Sequence, residues 1–385
     1  MSIPKRVWIE NYDCTGCGLC SKVCPQNAIE MNPDTRGFLY PQINDERCIH
    51  CGLCEHICTA LKNQKRDVLS CYAVKNKKAE VLQESTSGGF FSALSEWFIN
   101  NNGVVYGCIL NEKLEPMHIR TDNMVTCKQM RDSKYVQSNI QAIYSQIIQD
   151  LDDGKIVLFT GTPCQNGAIH EYCYKSKNIE NLYLCDIVCH GVASPMILKE
   201  HIRFLEKREK TKIEKLRFRD KTFGWNKDNK RWLKCIDENG KIILDDIYYR
   251  MYFNYNIISR PACASCSFTK RERIADFTMG DFWGIEKILP NFSYVDGATL
   301  LIIRSEKANQ VFQRIKRNLI EMPADLQEAV KYNQRLESSS VFGENYEKIW
   351  DDLEKRGYEY VIEHYITPSI TVRCLNKIKR LFRIR

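Results

Sequence analysis

Two stretches decide the fold: CTGCGLCSKVCP at residues 14–25 and CIHCGLCEHIC at residues 48–58. Each carries four cysteines spaced C-x2-C-x2-C-x3-C, the run that ligates paired cubane 4Fe–4S clusters. Three thiolates two residues apart wrap one face of a cube, and the fourth, further on, reaches the other cluster. The spacing assigns Cys14, Cys17, Cys20 and Cys58 to one cluster and Cys24, Cys48, Cys51 and Cys54 to the other. Gly16, Gly18 and Gly52 suit a backbone that turns sharply beside inorganic sulfide. A zinc site takes four ligands and has no use for eight cysteines in this double spacing. Thr59 follows Cys58 where the motif often has proline, which weakens a turn and leaves the ligand set intact.

The 385 residues suffice for two or three domains, and 44% hydrophobic content supports a large core. The 19 cysteines do not describe a secreted disulfide scaffold, because eight belong to clusters and the chain is long. The start, MSIPKRVW, lacks the apolar run of a secretion signal. No stretch reaches the roughly 18 uninterrupted apolar residues of a membrane span. A reducing cytoplasm is the expected location. A net charge of +8, spread along the chain, favours acidic partners or anionic cofactors, and no nucleic-acid motif accompanies it.

Residues 1–65 read as an α+β ferredoxin-type module, with strands at 28–32 and 38–40 around a turn at 33–37. Residues 62–67 read as a linker. From 66 to 320 strands alternate with helices, the sign of a mixed α/β domain. Strands are expected at 71–74, 103–110, 155–160, 182–189, 217–220, 232–237 and 298–303, with a short strand and turn over 275–284. Helices are expected from Phe90 to about Asn100, from Asn166, after Ser194 as N-cap with Pro195 at the first position, and from about Ser305. Residues 321–385 read as a helical extension.

Two loops stand where such sheets bind ligands. Ser87, Gly88 and Gly89 precede a helix and form an anion cradle, since free amides and the helix dipole favour phosphate; the same residues read equally as a serine-rich helix cap. Gly161, Thr162, Pro163, Cys164 and Gln165 follow an apolar strand. Cys164 and Cys189 at strand ends, with the C-x2-C pair Cys263 and Cys266, supply enough thiolates for a third 4Fe–4S cluster; buried structural cysteine is the alternative. The remaining cysteines, at 71, 108, 127, 173, 185, 235 and 374, read as core or free thiols. His190 reads as a proton donor or a structural histidine. Lys270, Arg271 and Arg273 read as an anion-holding group or a solvated basic face. Trp283 could cover a cofactor ring or pack in the core. The tail from Arg373, with Leu375, Ile378, Leu381 and Phe382 among basic residues, reads as a membrane-surface segment or an ordinary terminal helix.

The cysteine runs, Ser87–Gly89, Gly161–Gln165, Val188–Val192, Cys263–Cys266 and Gly280–Gly284 occur in order. Together this pattern resembles the coenzyme F420 hydrogenase/dehydrogenase beta-subunit family, from about Cys14 to Gly284. The resemblance implies a flavoprotein, with FAD, that passes electrons between clusters and a hydride-type substrate such as coenzyme F420. It makes Cys164, Cys189, Cys263 and Cys266 the favoured ligands of a third cluster. It also makes Ser87, Gly88, Gly89, Gly161, Thr162, Pro163 and Gln165 candidate flavin-binding residues. The expected function is thus an oxidoreductase whose partner is a redox protein or a hydride-donating small molecule. A non-enzymatic relay subunit of a larger redox complex, and an accessory iron–sulfur protein of polysaccharide biosynthesis, are the alternatives. The absence of a G-x-G-x-x-G after any strand ranks a deazaflavin or another donor above nicotinamides.

Overall fold

Apolar runs that bury both faces of their strands build the centre of the molecule. The computed structural model describes residues 13–61, 65–221, 224–225 and 232–367. In the cysteine-rich module, β1 (Ile29–Pro33) and β2 (Leu39–Ile43) pair antiparallel, Ile29 opposite Ile43. The main domain continues with β3 (Ser70–Asn76), helix α1 (Phe90–Asn100), β4 (Val104–Leu110), β5 (Pro116–Thr121), α2 (Tyr144–Asp152) and β6 (Val157–Gly161). Then come α3 (Pro163–Cys173), β7 (Leu182–Ile187) and α4 (Pro195–Glu209). Strands β8 (Ile213–Arg217), β9 (Leu233–Asp237) and β10 (Ile242–Asp245) form a separate three-stranded antiparallel sheet. Strands β11 (Phe277–Asp281) and β12 (Thr299–Ile303), helix α5 (Glu306–Ile315) and strand β13 (Leu319–Pro323) complete the main domain, and α6 (Tyr346–Arg356) follows.

The main sheet has eight strands in the order β13-β3-β12-β11-β7-β6-β4-β5. Its centre, β4, β6, β7 and β11, is parallel, and antiparallel pairs flank it. Side chains alternate between the faces. Leu158 packs with Phe98 and Phe312 on one side, while Val157 and Phe159 pack with Ile147 and Ile169 on the other. Leu19 of the first cysteine run lies in this second core, so module and α/β domain share one interior. A further core joins α4, the small sheet and α6, and includes Phe38 of the module.

Several boundaries differ from those the sequence suggests. Helix α3 begins at Pro163 rather than Asn166, because Thr162 and Gln165 form a capping box with proline at the first position. Strand β8 ends at Arg217, its last residue paired with β9, where a strand was expected over 217–220. Strand β5, whose alternation covers only Met117-His118-Ile119-Arg120, is not among the expected strands. The expected boundary after residue 320 falls inside β13, where Met322 pairs with Ala73. Of the linker, residues 62–64 lie outside the described residues, as does the tail from Arg373. Arg66, at the linker's end, is ion-paired with the buried Asp276.

The loop between β3 and α1 is drawn tightly onto the sheet. The Asn76 amide donates to the Gly88 carbonyl (2.7 Å), and the Gly88 amide donates to Thr299 Oγ1 (2.9 Å). A Cβ on Gly88 would stand 2.3 Å from the Val74 carbonyl oxygen and 2.7 Å from the Thr299 amide. Both are sheet backbone and cannot yield cheaply. Gly88→Ala should therefore cost about 1–3 kcal/mol of stability, read as a lower denaturation midpoint under anaerobic conditions. An unchanged midpoint would show that the loop can lift off the sheet without loss.

Candidate redox site

Cys24, Cys48, Cys51 and Cys54 line one small cavity of about 50 Å³. Burial pushes the Cys17 thiol up to about 11, and Cys14 and Cys58 add repulsion. Cys20 is raised by burial and then by Cys17, Cys14, Cys58 and Cys54, so it stands between the two sets. Cys51 is the exposed member. The first loop is pinned from the α/β domain: Gln137 donates to the Thr15 carbonyl (2.9 Å) and the Tyr144 hydroxyl to the Cys17 carbonyl (3.1 Å).

The four later cysteines come from three segments. Cys164 sits in the first turn of α3, Cys189 follows β7, and Cys263 closes the 3₁₀ turn Pro261–Cys263 with Cys266 beyond it. All four line one cavity of about 40 Å³, and Thr15 of the first cysteine loop lines it too. Burial, with repulsion from neighbouring thiols, pushes Cys189 and Cys263 up to about 12. Cys164 is raised by burial and feels Cys266, Cys189 and, across the module boundary, Cys17. Four half-buried thiols lining one cavity are a donor set that suits iron bridged by sulfide. The 18 described cysteines are all free thiols.

A larger cavity of about 260 Å³ adjoins this quartet and shares Thr162, Cys189, Gly191 and Val192 with it. Of the sequence-derived cofactor residues, Ser87, Gly89, Gly161, Thr162 and Gln165 line the large cavity. Gly88 and Pro163 do not: Gly88 faces the sheet, and Pro163 lines the quartet cavity. Gly89 has φ 76°, a left-handed conformation that glycine adopts without strain, and caps α1. The first turn of α1, whose amides lack intrahelical acceptors, therefore opens on the cavity at Gly89, Phe90 and Phe91. These amides and the aromatic walls fit an anionic, ring-bearing cofactor.

Trp283 lines this cavity, stacked on Trp225 (centroids 5.1 Å apart) with the Arg219 guanidinium 4.9 Å from its ring centroid. Arg219 is also ion-paired with Asp281, which accepts from the Trp225 indole (2.9 Å). His190 is on the wall, edge-on to Phe253. Arg273 is not solvated: it is buried, donates to the carbonyls of Lys270, Ile187 and Arg335, and is ion-paired with the buried Asp186 at 3.5 Å. Arg271 pairs with Glu337.

Sequence reasoning missed the wall formed by Cys108, His118, Lys134 and Ser138. His118 stacks on Phe159 and approaches the Thr160 carbonyl through Nε2 and the Ser138 hydroxyl through Nδ1, both at 2.9 Å. With Nε2–H donating to the carbonyl, Nδ1 accepts from the hydroxyl. Gln165 in turn donates to Ser138 Oγ (3.1 Å), which ties this wall to the cap of α3. Lys134 donates to the carbonyls of Gln129, Arg131 and Asp132. No chemical motif marks these positions.

Comparison with known proteins follows this geometry. Residues 154–325 match the family model for the C terminus of the coenzyme F420 hydrogenase/dehydrogenase beta subunit, and residues 13–60 match a 4Fe-4S dicluster domain. A 26-residue segment is 69% identical to pyruvate synthase subunit PorD of Thermotoga maritima; it covers 6% of this chain and 26% of that protein's length. A chain of the xenon-derivatised F420-reducing NiFe hydrogenase complex from Methanosarcina barkeri superposes with a TM-score of 0.47 and 13% identity, over 70% of this chain and 91% of that one. No helix among the described residues is long and apolar enough to cross a membrane.

The His118 environment has a pH signature. Burial depresses its imidazole from 6.5 to about 4, so the folded protein holds it neutral while the unfolded chain takes up a proton below about 6.5. Stability is therefore lost as pH falls from 6.5 toward 4. Between pH 7 and pH 5 the loss from this one group should be about 2 kcal/mol. Denaturant titration of the wild type and His118→Gln at both pH values should show the difference between them narrowing at pH 5. Parallel pH dependence would mean that His118 is already protonated in the fold.

Proposed function

We propose that this chain is an iron–sulfur flavoprotein oxidoreductase. Its residues 154–325 belong to the family defined by the C-terminal part of the coenzyme F420 hydrogenase/dehydrogenase beta subunit, and a 4Fe-4S dicluster domain stands ahead of them. It exchanges electrons between a hydride-type organic substrate, such as coenzyme F420, and a one-electron protein partner. One observation carries the reading: the thiol quartet lies between the first cysteine loop, through Thr15, and the large cavity, through Cys189 and Gly191. In this reading Cys164, Cys189, Cys263 and Cys266 hold a third 4Fe–4S cluster. Ser87, Gly89, Gly161, Thr162 and Gln165 bind a flavin, taken as FAD, in the cavity.

Iron–sulfur clusters carry single electrons, whereas a flavin accepts a hydride's two electrons and releases them singly, so the pair joins the two kinds of chemistry. The chain's own residues supply the setting. The first turn of α1 offers amides and a positive dipole end to a phosphate. Trp283, clamped by Trp225 and Arg219, gives a flat apolar wall for a ring. The capping box at Thr162 and Gln165 fixes the turn that carries Cys164, so the thiol and the cavity wall move together. The set with exposed Cys51 faces outward, where a partner protein meets the chain.

Anaerobically purified protein should contain about twelve irons per chain and one flavin. Cys263→Ala with Cys266→Ala should remove about four irons and leave the signals of the N-terminal clusters. Full iron in that variant would make the quartet structural. Reduced coenzyme F420, NADH and NADPH are then supplied in turn, and flavin absorbance should fall before cluster absorbance with the deazaflavin best. No reduction by any carrier, with reduction by dithionite intact, would make the chain a relay subunit instead.

A further inference from the structure

Among the described residues Arg260 is the largest side chain that is fully buried. Its backbone belongs to the quartet: its amide donates to the Val192 carbonyl and its carbonyl accepts from the Cys263 amide, both at 2.9 Å. Its guanidinium reaches the other way. Nε donates to the Cys14 carbonyl (2.6 Å), one terminal nitrogen to Gln137 Oε1 (3.0 Å) and the other to the Leu39 carbonyl (2.9 Å). The group lies over the Tyr40 ring, 4.3 Å from its centroid. A Cβ on Gly16 would stand 2.7 Å from it, so the first cysteine loop leaves no room for a side chain there.

All three hydrogen-bond acceptors are neutral. A guanidinium sunk among neutral acceptors has lost its water, an unfavourable state for a cation unless anions lie close. The groups at hand that become anions on binding iron are the cysteine thiols. Arg260 lines the quartet cavity together with all four of its cysteines, while its Nε donates to the Cys14 carbonyl.

We propose that Arg260 is the shared counter-cation of the first N-terminal cluster and of the cysteine quartet, a positioning residue that holds the two iron sites together and raises the reduction potential of the first. The proposal rests on the ligand assignment above. Reduction adds one electron to a cluster and makes or breaks no bond. A fixed positive charge in a low-dielectric interior favours that extra negative charge. The three hydrogen bonds of the guanidinium go to Cys14, Gln137 and Leu39 and not to the outer set with Cys51, whose potential is set elsewhere. Electrons are thereby drawn inward from the exposed cluster to the one against the quartet.

The test is an anaerobic redox titration followed by electron paramagnetic resonance, with iron and sulfide quantified, on the full chain and on Arg260→Gln and Arg260→Lys. With iron complete, Arg260→Gln should move the midpoint of one N-terminal cluster to more negative potential and leave the other in place; Arg260→Lys should keep both near the wild-type values. If Arg260→Gln fails to assemble, Arg260→Lys with full iron and wild-type midpoints still supports the charge role. Unmoved midpoints in a fully loaded Arg260→Gln overturn the proposal. So does a lysine variant that shifts as far as the glutamine variant, or that fails to assemble, because charge alone is then not what matters. Failure of the ligand assignment looks different: the wild type itself would fall short of its iron.

Discussion

The parallel pairing of β6 with β7 is the constraint on which the site depends. Its register sets Gly161 opposite Asp186, so both strands end together and their loops leave the sheet side by side. Parallel strands send their connections over the sheet faces and leave their carboxyl ends open to ligands. The same two loops carry Cys164 and Cys189, and they line the large cavity and the thiol quartet alike. A one-residue slip would invert every side chain beyond it and separate the pair. The flanking cores on both faces, with Leu158 on one side and Phe159 on the other, make that slip costly.

Buried charge is handled by two different means in this molecule. Around the sheet it is paired: Asp276 with Arg66, Asp150 with Arg120 and Lys155, Arg219 with Asp281. Around the cysteines the groups that meet the sulfurs are chiefly backbone amides, with the Thr162 hydroxyl 3.1 Å from the Cys164 sulfur. The Gly16 and Gly191 amides, for instance, approach the sulfurs of Cys14 and Cys189 at 3.4 Å. Such donors favour negative charge on sulfur without neutralising it, which leaves a cluster free to change charge.

What could be read from the sequence follows the range of each interaction. The dicluster runs are local, so spacing alone assigns both ligand sets, and the hairpin between them follows from its turn. Strands β6, β7 and β12 are apolar runs bounded by turn residues, and Ser194 with Pro195 announces α4 in the manner of any capped helix. The quartet is legible only as a list of candidates, because three segments meet through a sheet whose order no spacing encodes. Gly88 misleads: glycine before a helix suggests a phosphate, yet its amide is spent on Thr299. The His118 wall is hidden, since the short alternation Met117-His118-Ile119-Arg120 in β5 points to the apolar residues as the inward ones, whereas His118 is the buried member.

The quartet's ligands are spread from residue 164 to residue 266, whereas each N-terminal set lies within residues 14–58. This difference sets an order of construction. The N-terminal loops can bind iron while the rest of the chain is still being made. The quartet does not exist until β6, β7 and the 261–266 turn have met, and closing such distant contacts is the slow part of folding. The iron site proposed for the quartet would therefore be a checkpoint, filled only in a chain whose sheet has closed in the right register.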